Sequence, residues 1–159
     1  VGGRRESLKR TGIATRKKLG IRFYRIAAYC DADHAPRDVD ALAASDVAKR
    51  LVLVMERDIA DWVLRKSFEE ALAANDHDGR FAADTKTILD HMTARPLKKG
   101  DCVTITHVPQ SGIECIVCDT APAAVKNLPF AHVVWNVYMG PRGVSTELRT
   151  GLGSELKAD

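Results

Sequence analysis

Between Ile21 and Cys30 the apolar residues alternate, but their phase changes midway. Ile21 and Phe23 point one way, and Tyr24, Ile26, Ala28 and Cys30 the other. Both faces are therefore partly apolar, as in a strand covered on one side and lining a pocket on the other. Ahead of it, "VGGRRESLKRTG" places Gly2–Gly3 and Gly12 around a short polar strand and reads as hairpin material. Asp38 to Ala44 predicts a short helix. "KRLVLVMER" predicts a strand apolar enough to be central. "RDIADWVLRKSFEEALAAN" predicts a helix with Asp58 as N-cap and Leu64, Phe68, Ala71, Leu72 and Asn75 on one face. "RFAADTKTILDHM" predicts a second amphipathic helix, with Phe81, Thr85, Ile88, Leu89 and Met92 in one stripe, ended by Pro96.

Cys102 to Val108 and Ile113 to Cys118 then predict a hairpin around "PQSG", with a short strand at Ala123 to Lys126. "PFAHVVWNVYMG" predicts a helix with Phe130, Val133, Val134, Val137 and Tyr138 on its apolar side and Gly140 as its stop. Ser145 is the N-cap candidate of a last helix carrying Leu148, Leu152 and Leu156. Hairpins imply antiparallel pairing, and helices in blocks imply an α+β fold, one large sheet covered by helices mainly on one face.

At 159 residues, 45% apolar and 28% charged, the chain has the composition of one soluble globular domain spanning 1–159. No apolar run approaches the roughly 20 residues of a membrane-crossing helix. The first residue is Val1, which leaves room for a leader or a first strand before it and leaves both a cytoplasmic and an exported location open. The net charge of +3 hides an asymmetry: residues 1–25 hold nine Lys/Arg and one acid, the rest fifteen and twenty. Such a basic segment attracts nucleic acid or anionic surfaces, or is a solvated hairpin edge. Single-strand binders use an exposed aromatic platform that this segment lacks, so no nucleic-acid partner is expected. Cys30, Cys102, Cys115 and Cys118 lack the second ligand pair of a zinc site and read as small buried residues. Asp76, His77 and Asp78 read as a polar turn. No metal or cofactor is expected.

Five segments in order, "TGIATRKKLGIRFYRIAAYCD", "RDI" at Arg57 to Ile59, "FEEALAAN", "KKGDCVTITHVPQSG" and "KNLPFAHVVWNVYMGPRGVSTELRTGLGSEL", cover nearly the whole chain. They resemble the chalcone isomerase family, in its bacterial chalcone-isomerase-like branch. The resemblance implies an open-faced β-sandwich, a large antiparallel sheet with helices against one face and a cleft for a hydrophobic ligand. Some members of that family close chalcones to flavanones, and others bind fatty acids. The family arginine falls on Arg16, with Lys17 or Lys18 as alternatives in the alignment. Tyr24 takes the place of an enzyme threonine, Phe68 and Asn75 the places of a tyrosine and an asparagine on one helix face, and Ala131, beside His132, that of a hydroxyl residue.

Phe68 and Ala131 thus lack two hydroxyls that a flavonoid site would use, so chalcone is not the expected substrate. A non-catalytic binder of a fatty acid or similar hydrophobic carboxylate is expected. Arg16, Tyr24, Phe68, Asn75, Ala131 and His132 form its site. The alternative is an isomerase, an intramolecular lyase acting on an α,β-unsaturated substrate through Arg16, Tyr24 and Asn75. Lys17 and Lys18 are expected to be solvated, with Arg22 in reserve on the side of Tyr24.

Overall fold

A computed structural model describes residues 7–76 and 78–156. Six strands form one sheet in sequence order, every neighbouring pair antiparallel: β1 (Leu8–Lys18), β2 (Ile21–Asp31), β3 (Lys49–Met55), β4 (Cys102–Val108), β5 (Gly112–Val117) and β6 (Ala123–Val125). Helices are inserted into this meander: α1 (Val39–Ala44) before β3, α2 (Asp61–Ala73) and α3 (Ala82–Met92) before β4, and α4 (Leu128–Met139) and α5 (Thr146–Leu152) after β6. The fold is α+β. In β3 and β4 buried and partly exposed residues alternate strictly, so a single face of the sheet carries the core. No helix among the described residues is long and apolar enough to cross a membrane.

The first strand differs from its expected form. It does not stop at Gly12 but runs for 11 residues through the basic cluster to Lys18. Gly12 is a strand residue over which α5 passes: a Cβ there would stand 2.0 Å from the Gly151 carbonyl oxygen. Its neighbour Thr11 is displaced by a register shift and buried, its hydroxyl donating to the Leu152 carbonyl at 2.7 Å. The expected hairpin material before Ser7 lies outside the described residues, as does His77 of the polar turn.

Three helix ends also differ in detail. Asp58 does not cap α2. Ile59 and Leu97 form an antiparallel bridge that keeps this stretch extended, Asp58 accepts from the Lys99 N–H at 2.9 Å, and the helix starts after Ala60. Gly140 ends α4 in extended conformation, φ −82°, with no left-handed cap; a side chain there would meet Asn136 backbone. The last helix stops at Leu152, so Leu156 lies beyond it. Asp38, Asn127 and Ser145 cap α1, α4 and α5 through side-chain oxygens.

Helix α4 is buried nearly all round, Ala131 and Trp135 as fully as its expected apolar side. It packs on β5 and against α1, α2 and α5, which leaves Pro129 exposed and Leu128, His132 and Asn136 partly so. Cys30 and Cys115 are buried as expected, whereas Cys102 and Cys118 are only half-buried because they sit at the outer end of the β4–β5 pair.

Candidate functional site

A cleft of about 520 Å³ opens between the β1–β2 hairpin and helix α2. Its size falls in the range of roughly 300–1,000 Å³ typical of small-molecule sites. The sheet supplies Tyr24 and Leu53, α2 supplies Trp62, Val63, Leu64 and Phe68, and Met92, Tyr138 and Val144 close the inner wall. Arg16, Lys18, Lys66 and Arg142 stand on the lining with one acid, Glu70. The wall is therefore apolar inside and cationic at its polar positions.

Antiparallel register brings the first two candidate residues together. Arg16 is the direct cross-strand partner of Tyr24, so both side chains leave the same face. Among the described residues no carboxylate pairs Arg16, whose guanidinium donates only to the Lys17 carbonyl, at 3.4 Å. Burial pushes the Tyr24 phenol up to about 12, against the opposing pull of the Arg16 charge. The hydroxyl stays protonated at neutral pH and can donate a hydrogen bond next to an unpaired cation. Such a pair can hold an oxyanion, one partner by charge and the other by direction.

One residue beyond this pair the register shifts, and Lys17 faces Arg22. Phe23 is the extra residue of this bulge. The bulge accounts for the change of apolar phase along the strand: Phe23 and Tyr24, though adjacent, both line the cleft. It also takes Arg22 out of alternation with Tyr24, and Arg22 is exposed and away from the lining. Lys18, expected to be simply solvated, is exposed but lines the cleft two residues from Arg16, whereas Lys17 does not.

Phe68 lies in the cleft wall, its ring tilted against Tyr138 with centroids 6.0 Å apart. Asn75 lies past the helix end and its amide turns back, donating to the Ala71 carbonyl at 3.0 Å and the Arg142 carbonyl at 3.1 Å. It ties the end of α2 to the loop after α4 and is not on the lining. Ala131 is fully buried core, because the face of α4 that carries it has no access to the cleft. His132, its neighbour, sits with His107 at the far side of α4, ring centroids 6.1 Å apart. The structure therefore brings Arg16, Tyr24 and Phe68 together and leaves Asn75, Ala131 and His132 outside.

Tyr138 is the residue that helix periodicity alone assigned to plain core. Its phenol is held far above its ordinary range, first by burial and then by the neighbouring Tyr24 phenol. It is another neutral hydroxyl beside the cleft. A tyrosine on a helix face whose other residues carry no polar group was the available signal, since a buried hydroxyl needs a partner or a function.

No curated protein matches the chain in sequence. Its structure is similar to that of a fatty-acid binding protein of Arabidopsis thaliana, with a TM-score of 0.74 and 14% sequence identity over 92% of this chain and 86% of that one. The shared fold is an open antiparallel sheet with helices on one face. The sequence pattern of chalcone isomerase-like proteins matches residues 2–153, nearly the full length, and the chain belongs to the chalcone isomerase-like family.

Proposed function

We propose that this protein binds a fatty acid or a similar hydrophobic carboxylate without turning it over. The observation that carries this reading is the unpaired Arg16 opposite Tyr24 on the lining of an otherwise apolar cleft. The ligand carboxylate takes the guanidinium and phenol, and its chain lies along Leu53, Phe68, Met92 and Val144. A hydrogen bond to a charged group is worth about 1.5–3 kcal/mol net. Each buried methylene adds about 0.8 kcal/mol. Ten methylenes outweigh the head group, so the cations set orientation and the wall supplies affinity. The Arabidopsis thaliana protein's description as fatty-acid binding supports the reading through the shared fold alone.

Mass spectrometry of gently purified protein, combined with thermal shift against a series of fatty acids, tests it. A co-purified carboxylate, or a melting temperature that rises with chain length, is expected. Absence of both overturns the proposal.

A second reading, an isomerase of the chalcone-to-flavanone type, gains from one feature. Tyr138, a phenol, packs its ring against Phe68, the position where the enzyme's hydroxyl is missing. It loses Asn75, whose amide is spent on two carbonyls. Chalcone turnover followed by absorbance, abolished by Arg16→Ala, would establish this reading and displace the first.

A further inference from the structure

The described residues leave four large apolar side chains strongly exposed; Trp62 lines the cleft, and Leu19 and Ile21 belong to the hairpin turn that follows the lining residue Lys18. Leu19 is 94% exposed at the tip of the β1–β2 hairpin, Ile21 follows it, and Trp62 is 67% exposed where α2 begins. Lys18 and Trp62 both line the cleft, so hairpin tip and helix start form one rim. The Arg57 guanidinium over the Phe23 ring, at 5.7 Å, joins the two segments from below.

The tip has no local reason to be leucine. Lys18 pairs with Ile21, and the two residues between them have φ of +53° and +78°. This is the two-residue turn in which both central positions are left-handed, for which Asn-Gly is the favoured sequence. Leu19 combines an unfavourable backbone with almost complete exposure of an apolar side chain, and such combinations collect at functional surfaces.

Charge points the same way. Lys17, Lys18 and Arg22 are exposed around Leu19, and no acid occurs between Leu8 and Arg25. Of the carboxylates near it, Glu56 pairs with Arg25 and Asp58 accepts from the Lys99 N–H, while Asp61 accepts from the Trp62 N–H and Glu70 is the one acid on the lining. Arg16, Lys17, Lys18, Arg22 and Arg25 fall within ten residues around the tip with no acid among them, so the hairpin end is locally positive. The basic segment's own aromatics, Phe23 and Tyr24, line the cleft; the exposed aromatic comes from α2, as Trp62.

We propose that the rim is a docking surface for an anionic phospholipid bilayer. Leu19, Ile21 and Trp62 enter the headgroup layer, and Lys17, Lys18 and Arg22 hold lipid phosphates. Indole rings favour that interface because one end is apolar and the other wet. A cleft opening onto the bilayer could take up or release an acyl ligand without passing it through water. That use rests on the function proposed above; the docking itself does not.

The test is co-sedimentation of the ligand-free protein with vesicles of equal parts phosphatidylglycerol and phosphatidylcholine, against phosphatidylcholine alone. Binding is expected only to the anionic vesicles, weakening with salt. Indole emission shifts to the blue on binding and reports Trp62, since the other tryptophan, Trp135, is 0% exposed. Lys17→Glu lowers partitioning by about tenfold or more. Leu19→Asn suits the turn better, so it keeps or raises the melting temperature while lowering partitioning by roughly tenfold. Equal binding to neutral vesicles, wild-type partitioning of both variants, or retention only by a single-stranded oligonucleotide overturns the proposal. Lost docking with fatty-acid binding intact leaves the function standing, and docking without fatty-acid binding removes the function alone.

Discussion

Arg16 and Tyr24 are eight residues apart in the chain and face to face in the hairpin. Their pairing rests on register, because a slip of one residue between the strands would turn one of the two side chains to the other face. Replacing the charge by a neutral, shorter amide, as in Arg16→Gln, should weaken fatty-acid binding by about tenfold to a hundredfold, the equivalent of one charged hydrogen bond. Tyr24→Phe should cost less, about two- to tenfold, because it removes a neutral donor. Isothermal titration with one medium-chain fatty acid measures both. With its phenol at about 12, Tyr24 contributes no titration to binding between pH 6 and 9. The place of Arg16 opposite Tyr24 on the cleft lining was legible in the sequence from spacing and family resemblance. Asn75 was not, because seven residues of helical spacing put it on the face of Phe68 only if the helix continues, and α2 ends at Ala73. Ala131 and His132 were misplaced for a related reason: spacing gives the face of a helix, and only packing says what that face meets.

At the level of elements, two shifts in β1–β2 pairing decide what the hairpin can do. One buries Thr11 under α5; the other turns Phe23 and Tyr24 together into the cleft. Periodicity registered the second as a change of phase without revealing that Arg22 would swing away. Gly12 is the corresponding fixed point at the other end. Its Cβ would overlap Gly151 and Leu152 backbone, which has no flexible side chain to yield. Gly12→Ala is therefore expected to destabilise the fold by at least about 2 kcal/mol, at the high end for overpacking. Chemical denaturation measures this, and an unchanged midpoint would show that α5 is free to lift. Sequence reading assigned Gly12 to a turn because glycine marks turns and close approaches alike, and the approaching segment is some 140 residues away in the chain.

Across the whole molecule, a buried polar group ties sheet and helices together beyond the cleft. The Trp135 indole N–H donates to His107 Nδ1 at 3.1 Å, which fixes the imidazole proton on Nε2, where it donates to Asp46 at 2.7 Å. Asp46 also accepts from the Gln110 N–H in the β4–β5 turn. Lys49, equally buried, donates to three carbonyls at the end of α1 and lies 4.9 Å above the Trp135 ring. Burial lowers the His107 pKa more than Asp46 raises it, and burial lowers that of Lys49 to about 7. The sign of the pH dependence follows. Below about 6.5 the unfolded chain binds a proton on this imidazole more readily than the folded one, so stability falls as the solution becomes more acid. The slope reaches at most about 1.4 kcal/mol per pH unit for one proton. Above about 7 the folded Lys49 releases its proton before the unfolded one does, and stability continues to rise with pH. Denaturation midpoints between pH 5 and 8 should increase monotonically, and His107→Gln should flatten the acid part. A midpoint that rises toward pH 5 would contradict this assignment.

The sequence by itself determined the elements, their order and the antiparallel sheet with helices on one side, because each is set by local periodicity and by caps such as Asp38, Asn127 and Ser145. It also determined that cations crowd the first hairpin. Tertiary structure alone decided that Lys18 joins Arg16 on the lining while Lys17 and Arg22 do not, since that depends on register and on a bulge between two strands. It alone decided that Tyr138 reaches the cleft wall, that Asn75 serves a helix end, and that Trp62 and Lys18 line the same cleft. Those are distances between segments far apart in the chain, and no local pattern of apolar and polar residues encodes them.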